Sequence, residues 1–146
     1  MVYVFSQKSE QRLATCHEDL QAILREVIKI YDFSILEGHR TLETQQKYFS
    51  EGKSRFDGMV KKSKHQFSPS MAVDIMPWKA GTNAFSGHEK DLRRFYFLIG
   101  IVRAVSERLL QDGKITHRVR FGLDWDGDHN FRDQNFDDLP HVELVF

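Results

Sequence analysis

The sequence predicts an α+β domain, a small and mostly antiparallel sheet with about three helices. Three observations carry that expectation. Apolar residues recur at helical spacing, four short runs of strand-forming residues are interspersed with those segments, and 146 residues are enough for one domain (1–146) with a single core. Hydrophobic residues at 40%, twelve phenylalanines among them, suffice to fill that core.

The elements follow in order. A capping box, Thr15-x-x-Glu18, opens the first expected helix, which runs to about Tyr31 with Leu20, Ile23, Leu24, Val27 and Ile30 on one face. "FSILEG" (33–38) reads as a strand, and a shorter helix from Thr41 through "LETQQKYFS" stops near Gly52. "MAVDIM" (71–76) is the next strand. A second box, Ser86-x-x-Glu89, opens the third helix, expected to reach about Leu110. Its stripe of Leu92, Phe95, Tyr96, Ile99, Val102 and Leu109 is most simply core. "VRFGL" (119–123) and "HVELVF" (141–146) complete the sheet. The connections 53–70 and 124–140 are long and polar, a length often tied to function.

Composition excludes several classes. Basic and acidic residues balance at 21 each, so nucleic acid is not expected as a partner and no strong cationic footprint exists for an anionic membrane. The single cysteine, Cys16, rules out an internal disulfide and a Cys-rich zinc site, and is expected to pack as a small hydrophobe. The N-terminus lacks the apolar stretch of a signal peptide, and no segment approaches the roughly 18 apolar residues of a membrane span. Synthesis in the cytosol without membrane insertion is the expectation, and a monomer is expected.

Asp74 is the first residue that asks for chemistry. On a strand it shares a face with Ala72 and Met76, while Val73 and Ile75 take the core face. A carboxylate half-buried there needs a partner, either an arginine, backbone donors or a metal ion. His65 precedes it in a polar loop and His141 opens the last strand. Two histidines and one aspartate, with a fourth position for water, form a catalytic zinc set. Pro140 biases the chain toward an extended entry into that strand. Asp138, three residues before His141, then stands where a general acid/base is needed, and Asp137 is its rival by spacing alone. Glu143 shares a strand face with His141 and suits either an outer partner of that ligand or a solvated edge.

At this point four segments match a known family. "SKHQFSPSMAVDI" resembles the Ser-x-His…Ala-x-Asp segment of zinc peptidases that cut peptidoglycan peptides, among them D-Ala-D-Ala carboxypeptidases and the L-alanyl-D-glutamate endopeptidases of bacteriophage lysis. "DDLPHVELVF" resembles their closing segment, "EGHRTLETQQKYFSEGKS" their Gly-x-Arg segment, and "RFGLDW" a stretch of the phage endolysin branch. The resemblance spans nearly the whole chain. It implies a fold built around zinc, with His65, Asp74 and His141 as ligands and Asp138 as general acid/base. Arg40 would bind or polarise the substrate carbonyl or carboxylate, and Ser63 would assist in substrate binding. It further implies cleavage of the L-alanyl-D-glutamate bond of stem peptides, with synthesis in the host cytoplasm and action on the wall after holin-type release. A D-alanyl-D-alanine carboxypeptidase or dipeptidase is the alternative; a metal-dependent nuclease and a non-catalytic wall-binding module fit the residues less well.

One feature departs from that pattern, and a second is weighed apart from it. The step from His65 to Asp74 is nine residues instead of the usual seven, through "QFSPS", and the longer loop is expected to shape the cleft rim. Asp124, Asp126, Asp128 and Asn130 place oxygens at alternate positions, as calcium loops do. Gly127 falls too early for that motif and no glutamate closes it, so a solvated acidic loop is the preferred reading and regulatory Ca2+ the second.

Overall fold

A computed structural model describes residues 2–77, 89–134 and 137–146, the side chain of residue 90 excepted. Among these residues five helical segments and four strands follow one another: α1 (Gln7–Leu13), α2 (Glu18–Ile28), β1 (Phe33–Glu37), α3 (Leu42–Ser50), a 3-10 turn (Lys64–Gln66), β2 (Ala72–Pro77), α4 (Glu89–Gln111), β3 (Val119–Gly122) and β4 (Asp138–Leu144). The strands form one sheet in the order β1-β2-β4-β3, every pair antiparallel. The α+β expectation holds, with one more α-helix than the sequence suggested.

The added helix is α1. It is seven residues long, capped by Ser6, and Leu13 is its one buried apolar residue, too little periodicity to read from sequence. Its presence undoes the capping box expected at Thr15. The Thr15 hydroxyl donates to the Arg12 carbonyl (2.6 Å) and accepts from His39 N–H (2.9 Å), while α2 is capped by His17, whose Nδ1 accepts from Asp19 N–H (3.0 Å). α2 also ends before Ile30, which is left exposed, and Ile28 takes the buried position. The α3 boundaries agree, with Thr41 as the cap. Ser86 lies outside the described residues, and on α4 Tyr96 is exposed whereas Leu98 is buried between Phe95 and Val102.

α4 packs across β2, β3 and β4, and α2 packs against α4. The core between them joins Ile23, Leu24 and Val27 of α2, Leu98 and Val102 of α4, and Val73, Ile75, Val142 and Leu144 of the sheet. Burying several side chains of this size contributes roughly 1.5–3 kcal/mol each. Cys16 belongs to this core, and burial pushes its thiol up to about 12, in keeping with a packing role. The face of β2 and β4 away from the helices carries Ala72, Asp74, His141 and Glu143, because Ala72 pairs with Glu143 and Asp74 with His141.

One irregularity brings a further residue to that face. Ile35 pairs with Ile75 in the core, but Glu37 pairs with Asp74 across a bulge between them. Regular alternation would aim Glu37 into the core with Ile35; the extra residue turns it to the Asp74 side.

Candidate metal centre

His65, Asp74 and His141 converge. His65 Nε2 lies 3.3 Å and His141 Nδ1 3.4 Å from Asp74 Oδ1, and the three ligand atoms fall within 4.8 Å of one another. Each comes from a different device. The Ser63 hydroxyl caps the 3-10 turn by accepting the His65 N–H (3.2 Å), and Gly38 and Arg40 hold His65 from the other side. His65 Nδ1–H donates to the Gly38 carbonyl (2.8 Å) and Arg40 N–H to the His65 carbonyl (2.8 Å). His141 Nε2–H donates to Glu143 Oε1 (2.8 Å). Both imidazoles thus have their far nitrogen engaged and turn the near nitrogen to the centre.

The residues fit a metal ion on two counts. His65 Nε2 and Asp74 Oδ1 are buried without a hydrogen-bond partner, a state that costs free energy unless something else binds them. Tetrahedral coordination with bonds of about 2.0–2.1 Å also sets ligand atoms about 3.3–3.4 Å apart; the two separations at Asp74 are 3.3 and 3.4 Å. Burial would raise the Asp74 carboxyl, but His141 and His65 outweigh it and hold the group far below the ordinary carboxylate range. Glu143 is likewise ionised. Burial opposes this, yet His141, Arg120 and Lys64 bring it down to about 2. It is buried and also contacts Arg120 (2.7 Å) and Lys64 (3.0 Å), so Glu143 is a buried partner of His141 and not a solvated edge residue.

Asp138 begins β4 beside this cluster. Burial and the charge of Asp74 raise its carboxyl, while His141, His65 and Arg40 pull the other way. Asp137 is different: it is exposed and accepts from Gln134 Nε2 (2.7 Å). Asp138 is placed by Gly122, its partner across β3 and β4, where a Cβ would sit 2.0 Å from the Asp138 carbonyl oxygen. Only glycine admits that approach.

Arg40 is more enclosed than a substrate-facing arginine needs to be. Its side chain is 10% exposed, donates from Nε to Glu37 (2.7 Å) and from a terminal nitrogen to Gln45 (2.8 Å), and lies over the Tyr48 ring at 4.8 Å. It approaches Asp74 Oδ2 at 3.8 Å. Sequence reading missed Glu37, Gln45 and Tyr48. A fully buried glutamine on an otherwise polar helix is legible only after folding. The ring of Trp125 stands 5.3 Å from that of His141. The longer "QFSPS" loop is held near both ends. Ser70 bonds to Thr15 and His17 of the α1–α2 turn, and Phe67 meets Phe146 edge-on at 5.5 Å.

Two other clusters invite comparison. His17, Asp19 and His117 repeat the residue types, but none of their atoms is among the buried unsatisfied ones of the described residues. Asp19 Oδ2 accepts from His117 Nδ1 (2.7 Å) and from the backbone N–H groups of Thr116 (3.0 Å) and His117 (3.1 Å). This is a satisfied tie between α2 and the approach to β3. Burial opposes ionisation of Asp19, yet these donors outweigh it and hold the carboxyl below its ordinary 3.8. The resulting stability is fully present above pH 3.8 and is lost as pH falls through the lower folded value. Asp19→Ala is therefore expected to cost about 2–3 kcal/mol at neutral pH, and denaturant melts should show that gap closing in strong acid; a gap independent of pH would refute the assignment. In the second cluster, Asp124, Asp126 and Asp128 converge, and Asp124 Oδ1 is buried without a partner. Asp133, unnoticed in the sequence, faces Asp128 and Asp126, whose charges together with desolvation raise its carboxyl.

Comparisons with known proteins agree on one assignment. The sequence model of the phage L-alanyl-D-glutamate peptidase family matches residues 1–145. The L-alanyl-D-glutamate peptidase of Escherichia phage T5 is 32% identical over 151 residues, covering 99% of this chain and 100% of that protein. The crystal structure of Serratia marcescens L-Ala D-Glu endopeptidase ChiX shares the fold, with a TM-score of 0.69 at 22% identity over 99% of this chain and 92% of that one.

Proposed function

Because the chain belongs to the phage L-alanyl-D-glutamate peptidase family, we propose that it is a zinc-dependent endopeptidase hydrolysing the L-alanyl-D-glutamate bond of peptidoglycan stem peptides in host-cell lysis. The observation that carries the zinc reading is the pair of buried, unsatisfied ligand atoms on His65 and Asp74 at tetrahedral spacing. His65, Asp74 and His141 would hold the ion. Zinc bound there supplies Lewis acidity, polarising a carbonyl and making water acidic enough to attack near neutral pH.

The protein's own residues supply the rest. Asp138 takes the proton of the attacking water and returns it to the departing D-glutamate nitrogen; a carboxyl raised by burial and by Asp74 suits that exchange. Arg40, gripped by Glu37 and Gln45, steadies Asp74 and lends positive charge to the oxyanion side of the scissile carbonyl. Ser63 acts through the His65 turn that it caps. The whole chain serves as one catalytic unit, a monomer made in the host cytoplasm that reaches the wall after holin-type release. No helix among the described residues is long and apolar enough to cross a membrane.

Mass analysis of digested peptidoglycan tests the bond. Stems freed from the glycan with L-alanine left behind are expected; free D-alanine with stems still attached would establish the D-alanyl-D-alanine carboxypeptidase alternative. Gly122→Ala is expected to displace Asp138 and lower kcat about 100-fold, the scale of a 1 Å misplacement, with bound zinc unchanged. Wild-type kcat in that variant would show that the contact does not position Asp138.

The unsatisfied Asp124 oxygen favours a second cation site, and we propose regulatory Ca2+ held by Asp124, Asp126, Asp128 and Asn130. Calorimetric titration of the zinc-loaded protein should show one Ca2+ site that Asp124→Asn removes; absence of binding to wild type would leave a solvated acidic loop.

A further inference from the structure

Residues 53–62, "KSRFDGMVKK", connect α3 to the turn that bears His65 and contribute no group to the metal centre. The loop is held by a set of hydrogen bonds. Asp57 Oδ1 accepts the N–H groups of Met59, Val60 and Lys61 at 2.9, 2.9 and 3.0 Å. Gly58, buried and at φ +88°, donates to the Lys61 carbonyl (3.0 Å), and its own carbonyl accepts from Gln66 Nε2 (3.0 Å). Gln45 Nε2 ties the Phe56 carbonyl at 2.7 Å.

What this turn displays is apolar. Val60 is 87% and Met59 62% exposed, with Phe56 at 43% beside them. Arg55, Lys61 and Lys62 of the loop are exposed, Lys53 is paired with Glu51 (3.1 Å), and the loop's one acid, Asp57, has an oxygen turned onto the backbone. A chain with balanced charge thus carries a locally cationic patch with an aliphatic point. These hydrogen bonds order the backbone of the tip, so placing it on a surface costs little further backbone entropy.

We propose that this tip is a peripheral membrane contact, with Met59 and Val60 entering the interfacial layer of an anionic bilayer and Lys61 and Lys62 meeting the lipid phosphates. Aliphatic side chains offer no hydrogen-bonding group and gain by leaving water for apolar surroundings, which the interfacial layer of a bilayer supplies. The lysines supply the electrostatic half, which acts within a Debye length of a negatively charged surface. The contact is weak and reversible, and it concentrates the enzyme at the membrane face without insertion.

Co-sedimentation of the full, zinc-loaded chain with phosphatidylcholine vesicles, with and without phosphatidylglycerol, tests this. Binding is expected only to the anionic vesicles, weakening with salt, and about tenfold or more weaker for K61E/K62E. M59S/V60S should weaken it as well. Both variants should hydrolyse a soluble stem peptide at the wild-type rate, which shows that they fold. Wild-type protein that ignores lipid charge or fails to bind vesicles overturns the proposal. So does a pair of variants that keep vesicle binding but lose affinity for purified sacculi, which would assign the tip to the wall polymer.

Discussion

Asp138→Asn is expected to lower kcat for stem-peptide hydrolysis by roughly 10²- to 10⁴-fold, the range for loss of a general acid/base, while bound zinc and thermal stability stay at wild-type levels. Asparagine keeps the shape and can still hydrogen-bond, but it cannot accept and return a proton. The backbone of Asp138 is located by its approach to Gly122, not by its side-chain charge, so the exchange leaves the strand in place. Removing a buried negative charge near Asp74 should not destabilise the fold, because burial and Asp74 both disfavour ionisation at this position. The exposed neighbour supplies the control. Asp137→Asn, which alters a contact to Gln134, should leave kcat near wild type. Steady-state kinetics with metal analysis on both variants decides the matter. Full activity of Asp138→Asn, or loss of activity explained by lost zinc, would remove Asp138 from the reaction.

Asp74→Ala is expected to abolish zinc retention and activity together. Asp74 Oδ1 is the atom to which both histidines converge, at 3.3 and 3.4 Å, so its loss removes one of three ligands and the charge that favours a cation there. Glu143→Gln offers a graded comparison. It weakens the partner that orients His141, and a 10- to 100-fold loss of zinc affinity is the usual scale for such a change; Asp74→Ala should lose more. A readout independent of catalysis is available, because a ligand that binds only the folded state raises its stability. Zinc should therefore raise the Tm of wild type and, at higher concentration, of Glu143→Gln, but not of Asp74→Ala. An undiminished zinc-induced shift in Asp74→Ala would show that the ion lies elsewhere.

Much of this site was legible because the relevant signals are local. Asp74 declares itself by alternation: a carboxylate between Val73 and Ile75 must occupy the face opposite the core, and the structure buries both neighbours completely. His141 lies on the expected strand, which begins three residues earlier than the sequence suggested, at Asp138, and its register with β2 sets it opposite Asp74. Other features depend on pairings that no local pattern records. Glu37 lies on the Asp74 side only because a bulge shifts the register by one residue. Spacing left Asp137 and Asp138 equivalent, and burial separates them. The α1 helix went unread because it is short and draws its stability from packing on β1 rather than from an amphipathic face of its own.

The two His-Asp-His clusters show most clearly where each level of information ends. Residue types and periodicity determined that this chain is α+β, that it lacks cysteine for a structural zinc site, and that His65, Asp74 and His141 can serve as ligands. Composition alone gives His17, Asp19 and His117 an equal claim. The motif resemblance points to the first set, and the tertiary structure supplies the physical distinction, because the hydrogen bonds around Asp19 are complete whereas His65 Nε2 and Asp74 Oδ1 are left without partners. The physical reason is that what a side chain can bind is local chemistry, whereas what it is free to bind depends on every group that folding brings beside it.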